Sequence, residues 1–216
     1  MSDDDTLRQH RETGTAWDWA ARIYERDEER DTVLLRAGGH KLHPRERHLL
    51  TDLSRWCNRA IHLQCAGGSQ TLSLWRLGAA EVIGIDISPR MIAVARRKTE
   101  ALAAPARWFC CDVLLTPESL YGTADLVYTG SGALPWIADL EAWAHVVTRL
   151  LRPGGRLLLF EGHPLDWVWD KTAPDFRFDP HDGHYFSDRE ASHGWPAPLL
   201  GAAQSAEDGT PPHLHE

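Results

Sequence analysis

The chain has no long apolar run and no excess of positive charge, and each absence removes a class of function. No stretch of its 216 residues approaches the roughly 18 consecutive apolar residues of a spanning helix. Ser2-Asp3-Asp4-Asp5 puts acid where a secretory signal would be basic. A cytoplasmic location with no membrane partner is expected. Lysine and arginine number 23 against 31 aspartates and glutamates, a net charge of -8, so the surface would repel phosphate backbones and anionic lipid alike. The expected partner is a small molecule and not nucleic acid. Cysteine is scarce, four residues in all, and no pair has the C-x-x-C spacing. Cys110 and Cys111 are neighbours whose side chains would leave opposite faces of a strand, which fits free thiols in a reducing compartment.

What is present is enough apolar residue, 43%, for one sizeable core. The organising stretch is Ile61-His62-Leu63-Gln64-Cys65-Ala66-Gly67-Gly68, an apolar run ending in paired glycines before helix-like sequence. It reads as a buried strand, a tight turn and a helix start, the arrangement that brings bare backbone and helix N-terminal amides to a ligand. Two glycines after a strand are also an ordinary turn. The third glycine of the G-x-G-x-x-G fingerprint is missing, which counts against a nicotinamide-dependent oxidoreductase.

Residues 1 to about 14 are polar and expected to be loose. Trp17, Trp19, Ala20, Ile23 and Tyr24 then recur at helical spacing, followed by a solvated, charge-dense end from Glu25 to Asp31. After Gly38-Gly39, Pro44 opens a second helix carrying Leu49, Leu50, Leu53 and Trp56. Past the glycine turn, a helix through Leu77 leads to Glu81-Val82-Ile83-Gly84-Ile85-Asp86, a second strand ending in a carboxylate, with Ser88 and Pro89 placed to start a helix. Ala106 to Val113 repeats the device, with Asp112 as its acid. Strand four is Ala124–Thr129 and its loop Gly130–Pro135; a long helix from Trp136 to Leu151 and a fifth strand, Arg156–Glu161, follow. Strands alternating with helices predict an α/β fold, a mostly parallel sheet covered on both faces. Asp86 stands about 20 residues beyond the loop, the distance at which an acid reaches ribose hydroxyls.

From about Ala60 to Pro164 the chain resembles the class I S-adenosylmethionine-dependent methyltransferases, a Rossmann-like family. The residues that carry the resemblance are Val82-Ile83-Gly84-Ile85-Asp86-Ile87-Ser88, the strand-end Asp112, and Leu150-Leu151-Arg152-Pro153-Gly154-Gly155-Arg156-Leu157. The resemblance implies S-adenosyl-L-methionine as cofactor. Gln64, Cys65, Ala66 and Gly68 would line its methionine half, Asp86 with Ile87 beside it the ribose diol, Asp112 and Val113 the adenine, and Thr129, Gly130 and Ser131 the sulfonium. Cys65 and Gly68 match the family pattern, whereas His62 stands where an acid is usual and Gln64 and Ala66 where glycines are.

Methyl transfer requires a nucleophile aligned with an already activated methyl, exclusion of water and, for a protonated acceptor, a base. Glu161 and His163, leaving strand five at the ligand edge, are the candidate bases or else a polar turn. Trp17, Trp19 and Trp136 are expected to give the acceptor pocket aromatic walls, and the link holding His40 and His43 either covers that pocket or is a plain turn. The division expected is a helical arm at 1–58, the cofactor-binding core at 59–165 and an irregular tail at 166–216, within one structural domain. The family's closing C-terminal hairpin is expected to be missing or reduced, leaving an edge strand for the tail, a partner copy or substrate to cover. His181 and His184 with Asp182 have no helix to align them, so no metal is expected. The reading is a methyltransferase for a small-molecule acceptor; a binding protein that has kept the cofactor fold but lost turnover is the alternative.

Overall fold

The structure, a computed structural model, describes residues 3–130 and 132–163, together with Asp175 and Arg177. Its sheet is built from β1 (Arg59–Leu63), β2 (Glu81–Asp86), β3 (Ala106–Cys110), β4 (Ala124–Gly130) and β5 (Leu151–Phe160). They lie in the order β3-β2-β1-β4-β5, and every pairing is parallel. Ile61 sits opposite Ile83 on one side and Val127 on the other. The order reverses between β1 and β4, and in open parallel sheets that crevice beyond the strand ends is where ligands bind.

Alternation along the strands feeds two cores. Ile61, Leu63, Ile83, Ile85 and Val127 pack on one face against Trp143, Val146, Val147 and Leu150 of α7 (Leu140–Leu150). On the other face Ala60, Val82, Leu126 and Tyr128 meet Leu74 of α5 (Ser69–Arg76), together with Leu50 and Leu53. Both faces are buried, which is why these strands read as continuous apolar runs and not as alternating ones. The helix after β2 is α6 (Pro89–Leu102), and its start follows the sequence: Ser88 accepts from the Met91 amide and Pro89 opens the first turn. Asp139 caps α7 in the same way, accepting from the Ala142 amide.

Before β1 there are four helices where two were expected: α1 (Asp3–Arg26), α2 (Glu28–Arg36), α3 (Pro44–Leu49) and α4 (Leu53–Trp56). The first residues are not loose, because α1 buries Thr6, His10 and Thr13, a helical stripe written in polar residues that a search for apolar periodicity passes over. The charge run is likewise not a solvated end; it opens α2, and Asp31 within it is 6% exposed. The Pro44–Trp56 helix is broken by Asp52 at φ 55. Trp136 does not start α7 but closes a separate 3₁₀ turn, Leu134–Trp136.

β3 stops at Cys110, so Cys111 lies just past the strand. β5 begins earlier than expected, at Leu151, and its register with β4 shifts so that Ala124 faces Leu151 and Leu126 faces Arg156. The Arg152-Pro153-Gly154-Gly155 turn thus bulges within the strand. On β5, Leu157 and Leu159 are 42% and 45% exposed. The tail beyond residue 163, with His181, Asp182, His184 and any closing hairpin, lies outside the described residues apart from Asp175 and Arg177. Among the described residues no helix is long and apolar enough to cross a membrane, and no group of His, Cys, Asp and Glu is placed to hold a metal ion.

Candidate active site

Beyond Leu63 the chain turns through residues 64–68 into α5. Gln64 and Ala66 hold left-handed backbone, φ 51 and 45, a conformation that costs a side-chain-bearing residue about 1–2 kcal/mol. These are the positions at which the resemblance leads one to expect glycine, and their backbone holds a conformation that glycine adopts freely. The Cys65 amide donates to Ile85 O at 2.9 Å and the Gly68 amide to Cys65 O at 3.0 Å. Gly68 combines φ 77 with a ring wall: a Cβ there would lie 2.5 Å from Trp108. His62, beneath the loop, is 1% exposed, with Nδ1 2.8 Å from the Thr71 hydroxyl. Burial pushes its pKa down to about 3, so the ring is neutral.

Asp86 ends β2 beside this loop and pins it. Its Oδ2 accepts from the Ala66 amide at 2.7 Å and its Oδ1 from the Ser88 amide at 2.9 Å. Burial raises its pKa to about 6, against the pull of the Ser88, Ala66 and Ile87 amides and with a further push from Asp18. Burial disfavours the ionised form here, and a ligand's paired hydroxyls would favour it by adding donors to the carboxylate.

Asp112 follows β3. One of its oxygens accepts from the Leu114 amide at 2.8 Å and the other from His10 Nδ1 at 2.8 Å. His10 Nε2 accepts from the Ala138 amide at 3.1 Å, which fixes the ring proton on Nδ1. One α1 side chain therefore joins the β3 end to the segment after β4. His10 was missed because the first residues read as loose; its signal was the spacing Thr6, His10, Thr13, Trp17.

After β4 the loop is pinned by Glu161, just past β5. Its carboxylate accepts from the amides of Gly132, Ala133 and Leu134 at 2.7, 2.8 and 3.1 Å. Both oxygens are engaged by these amides, so Glu161 holds the loop. Thr129 is fully buried, with its hydroxyl 3.4 Å from Gln64 Oε1.

These strand ends, α1 and the start of α2 enclose a cavity of about 430 Å³. Gln64, Cys65, Ala66, Gly68, Asp86, Ile87, Asp112, Val113 and Gly130 line it. Thr129 backs the wall without lining it, Ser131 lies outside the described residues, and neither Glu161 nor the exposed His163 is part of the lining. Cys65 is buried in the floor, its thiol pushed well up by burial first and by Asp86 next, which makes it a packing group and not a nucleophile. Opposite the loop, Trp17 and Trp136 meet edge to face at 5.4 Å, with Ile137 beside them on the lining. Trp19 is not on the cavity wall; its ring carries the Arg22 guanidinium at 4.0 Å. The link after α2 reaches the lining through Lys41, whereas His43 caps α3 and stacks on Phe160 at 5.2 Å.

Residues 60–155 match the family described as a methyltransferase domain. The demethylmenaquinone methyltransferase of Thermus thermophilus is 36% identical over 123 residues, covering 51% of this chain and 55% of that protein. The trans-aconitate 2-methyltransferase of Methylobacterium radiotolerans is 39% identical over 103 residues, 45% of this chain and 35% of that protein. The chain thus spans about half or less of the length of these curated relatives. An S-adenosylmethionine-dependent methyltransferase from Mesorhizobium loti superposes with a TM-score of 0.52 at 24% identity, over 63% of this chain and 62% of that one. Residues 60–155 match a methyltransferase domain, and the fold they form is that of the class I, S-adenosylmethionine-dependent methyltransferases. The cofactor of that class is S-adenosyl-L-methionine.

Proposed function

We propose that the protein transfers the methyl group of S-adenosyl-L-methionine to a small-molecule acceptor. The observation that carries this reading is the cavity at the strand-order reversal, where the half-buried Asp86 carboxylate and the bare turn at Gly67 and Gly68 share a wall. Asp86 would hold the ribose diol, Asp112 and Val113 the adenine, and residues 64–68 the methionine end. The cofactor, when bound, supplies a methyl already activated on a sulfonium; the chain supplies placement and exclusion of water.

The acceptor would lie against Trp17, Trp136 and Ile137, where ring faces suit both an apolar body and the nearby positive sulfonium. The roof that α1 forms over the cavity favours a small acceptor over a macromolecular one. The candidate bases stand differently: Glu161 is committed to backbone amides, both His10 ring nitrogens are engaged, and His163 lies off the cavity wall. We therefore favour an acceptor whose nucleophile needs no protein base, such as a carboxylate or a thiolate.

The test is incubation with methyl-labelled cofactor and fractionated metabolites, beside calorimetry with S-adenosylhomocysteine. Label appearing in a small carboxylate or thiol supports the reading. Tight cofactor binding with no transfer to any fraction would favour a binding protein that has lost turnover, and no binding at all would overturn the site.

A further inference from the structure

The aromatic wall of the cavity is held in place by side chains from elsewhere in the chain. Between β4 and α7 the backbone makes one 3₁₀ turn, in which the Trp136 amide donates to Ala133 O at 3.3 Å and the Ile137 amide to Leu134 O at 3.0 Å. Glu161 pins the start of this segment through the amides of residues 132–134. Its far end, Ala138, donates to His10 Nε2 at 3.1 Å. Trp136 and Ile137, which line the cavity, are slung between these two pins.

His10 and Trp17 lie two turns apart on one face of α1, and both reach that segment, Trp17 through its edge-to-face contact with Trp136. The same helix is fixed beside the ribose acid. Asp18 accepts from the Ser88 hydroxyl at 2.7 Å and from the Arg90 amide at 3.0 Å, and Glu25 takes the Arg90 guanidinium on both oxygens. Gly14 lets α1 press on Ile87, since a Cβ there would lie 3.1 Å from the Ile87 side chain. The other ring nitrogen of His10 donates to Asp112, and the two side chains are 4% and 7% exposed. A neutral imidazole has one donor and one acceptor, and here each holds a different side of the cavity.

We infer that His10 is a positioning residue for methyl transfer: it ties Trp136 and Ile137 to the carboxylate at the adenine end, so that a filled cofactor end holds the acceptor wall in place. This rests on the proposed function. A cofactor lying between the strand ends and α1 is lost when α1 lifts, so its binding weights the closed position of the helix. The two bonds of His10 carry that closure to the far end of the wall.

The test is amide hydrogen exchange at two residues, with and without S-adenosylhomocysteine. The Ala66 amide, bonded to Asp86, reports occupancy; the Ile137 amide, bonded to Leu134 O and not to His10, reports the wall. With the probe at about 100 times its dissociation constant, exchange at Ile137 should slow by ~10-fold or more in the unaltered protein, within the ~100-fold that linkage allows. His10→Phe, which fills the space without either bond, should keep the slowing at Ala66 and lose most of it at Ile137, and His10→Gln, with a donor and an acceptor, should restore part. The deciding quantity is the ratio of rates with and without the probe, because a histidine that only stabilised the fold would change the starting rate at Ile137 and not its response. Slowing at Ala66 without slowing at Ile137 in the unaltered protein, or a full response at Ile137 in His10→Phe, would overturn the inference while leaving the cofactor site standing. No slowing at either residue, with no heat of binding, would instead overturn the proposed function, and this inference with it.

Discussion

The loops after β1 and β4 are built on one plan, and they differ in how completely the plan is satisfied. Each is pinned by a carboxylate from the end of the neighbouring outer strand, Asp86 of β2 for the first and Glu161 after β5 for the second. Glu161 receives amides from Gly132, Ala133 and Leu134 and stays half-buried. Asp86, half-buried as well, takes one direct amide bond on each oxygen, from Ala66 and Ser88, and lines the cavity, where burial raises its pKa to about 6. The difference shows how one device can either fix a wall or form a site. A carboxylate supplied in full by its own backbone is finished, and one left short keeps affinity for a ligand's hydroxyls.

The largest expected effect breaks the unfinished member. Asp86→Asn should weaken S-adenosylhomocysteine by ~10-fold or more in calorimetry, since hydrogen bonds to a charged group are worth about 1.5–3 kcal/mol. In the unaltered protein, affinity should rise as pH increases through about 6, because ribose hydroxyls favour the ionised carboxylate, and it should level off above. In the free protein the sign is reversed. Between the ordinary value of 3.8 and about 6 the folded state keeps a proton that the unfolded chain has lost, so this group's contribution to stability falls as pH rises. An affinity flat from pH 5 to 7.5 would refute the contrast between the two carboxylates.

Breaking the finished member should be chiefly a stability event. Glu161→Ala leaves its three amides without their acceptor, at a cost of about 1–3 kcal/mol, read as a lower melting temperature. Cofactor affinity should fall less than in Asp86→Asn, and Glu161→Gln, which keeps one acceptor oxygen, should recover part of the stability. Equal losses of affinity in Glu161→Ala and Asp86→Asn would mean that the loops are not separate devices.

A third measurement concerns the ground under the first loop. His62 titrates at about 3 in the fold against 6.5 normally, so its stabilising share is complete above pH 6.5 and is lost as pH falls toward 3. The loss is about 1.4 kcal/mol for each unit of acidification. His62→Gln should flatten that part of the melting-temperature profile, and an unchanged profile would show that His62 is not the group responsible. The smallest effect expected is from Ala66→Gly. Relief of left-handed strain, about 1–2 kcal/mol, is offset by the entropy of glycine, about 0.5–1 kcal/mol, so a denaturant titration should show a gain below ~1 kcal/mol. A loss would mean that the Ala66 methyl packs usefully.

The sequence alone determined the strands, their parallel arrangement and the acids at their ends, because a doubly covered sheet writes itself as short apolar runs separated by helices. Asp86, Asp112 and the turn at residues 64–68 were legible for the same reason: each directly follows such a run. Only the tertiary structure decided what faces them. His10 and Asp31 sit in polar segments that look solvated, and their burial depends on partners 102 and 38 residues away, Asp112 and Ser69. Glu161 looked like a base because its type and place are those of one; it became a clamp because three loop amides close on it. Local pattern records which side chains want to leave water. Which polar groups are taken in with them is fixed by contacts between distant segments, and no single segment carries that information.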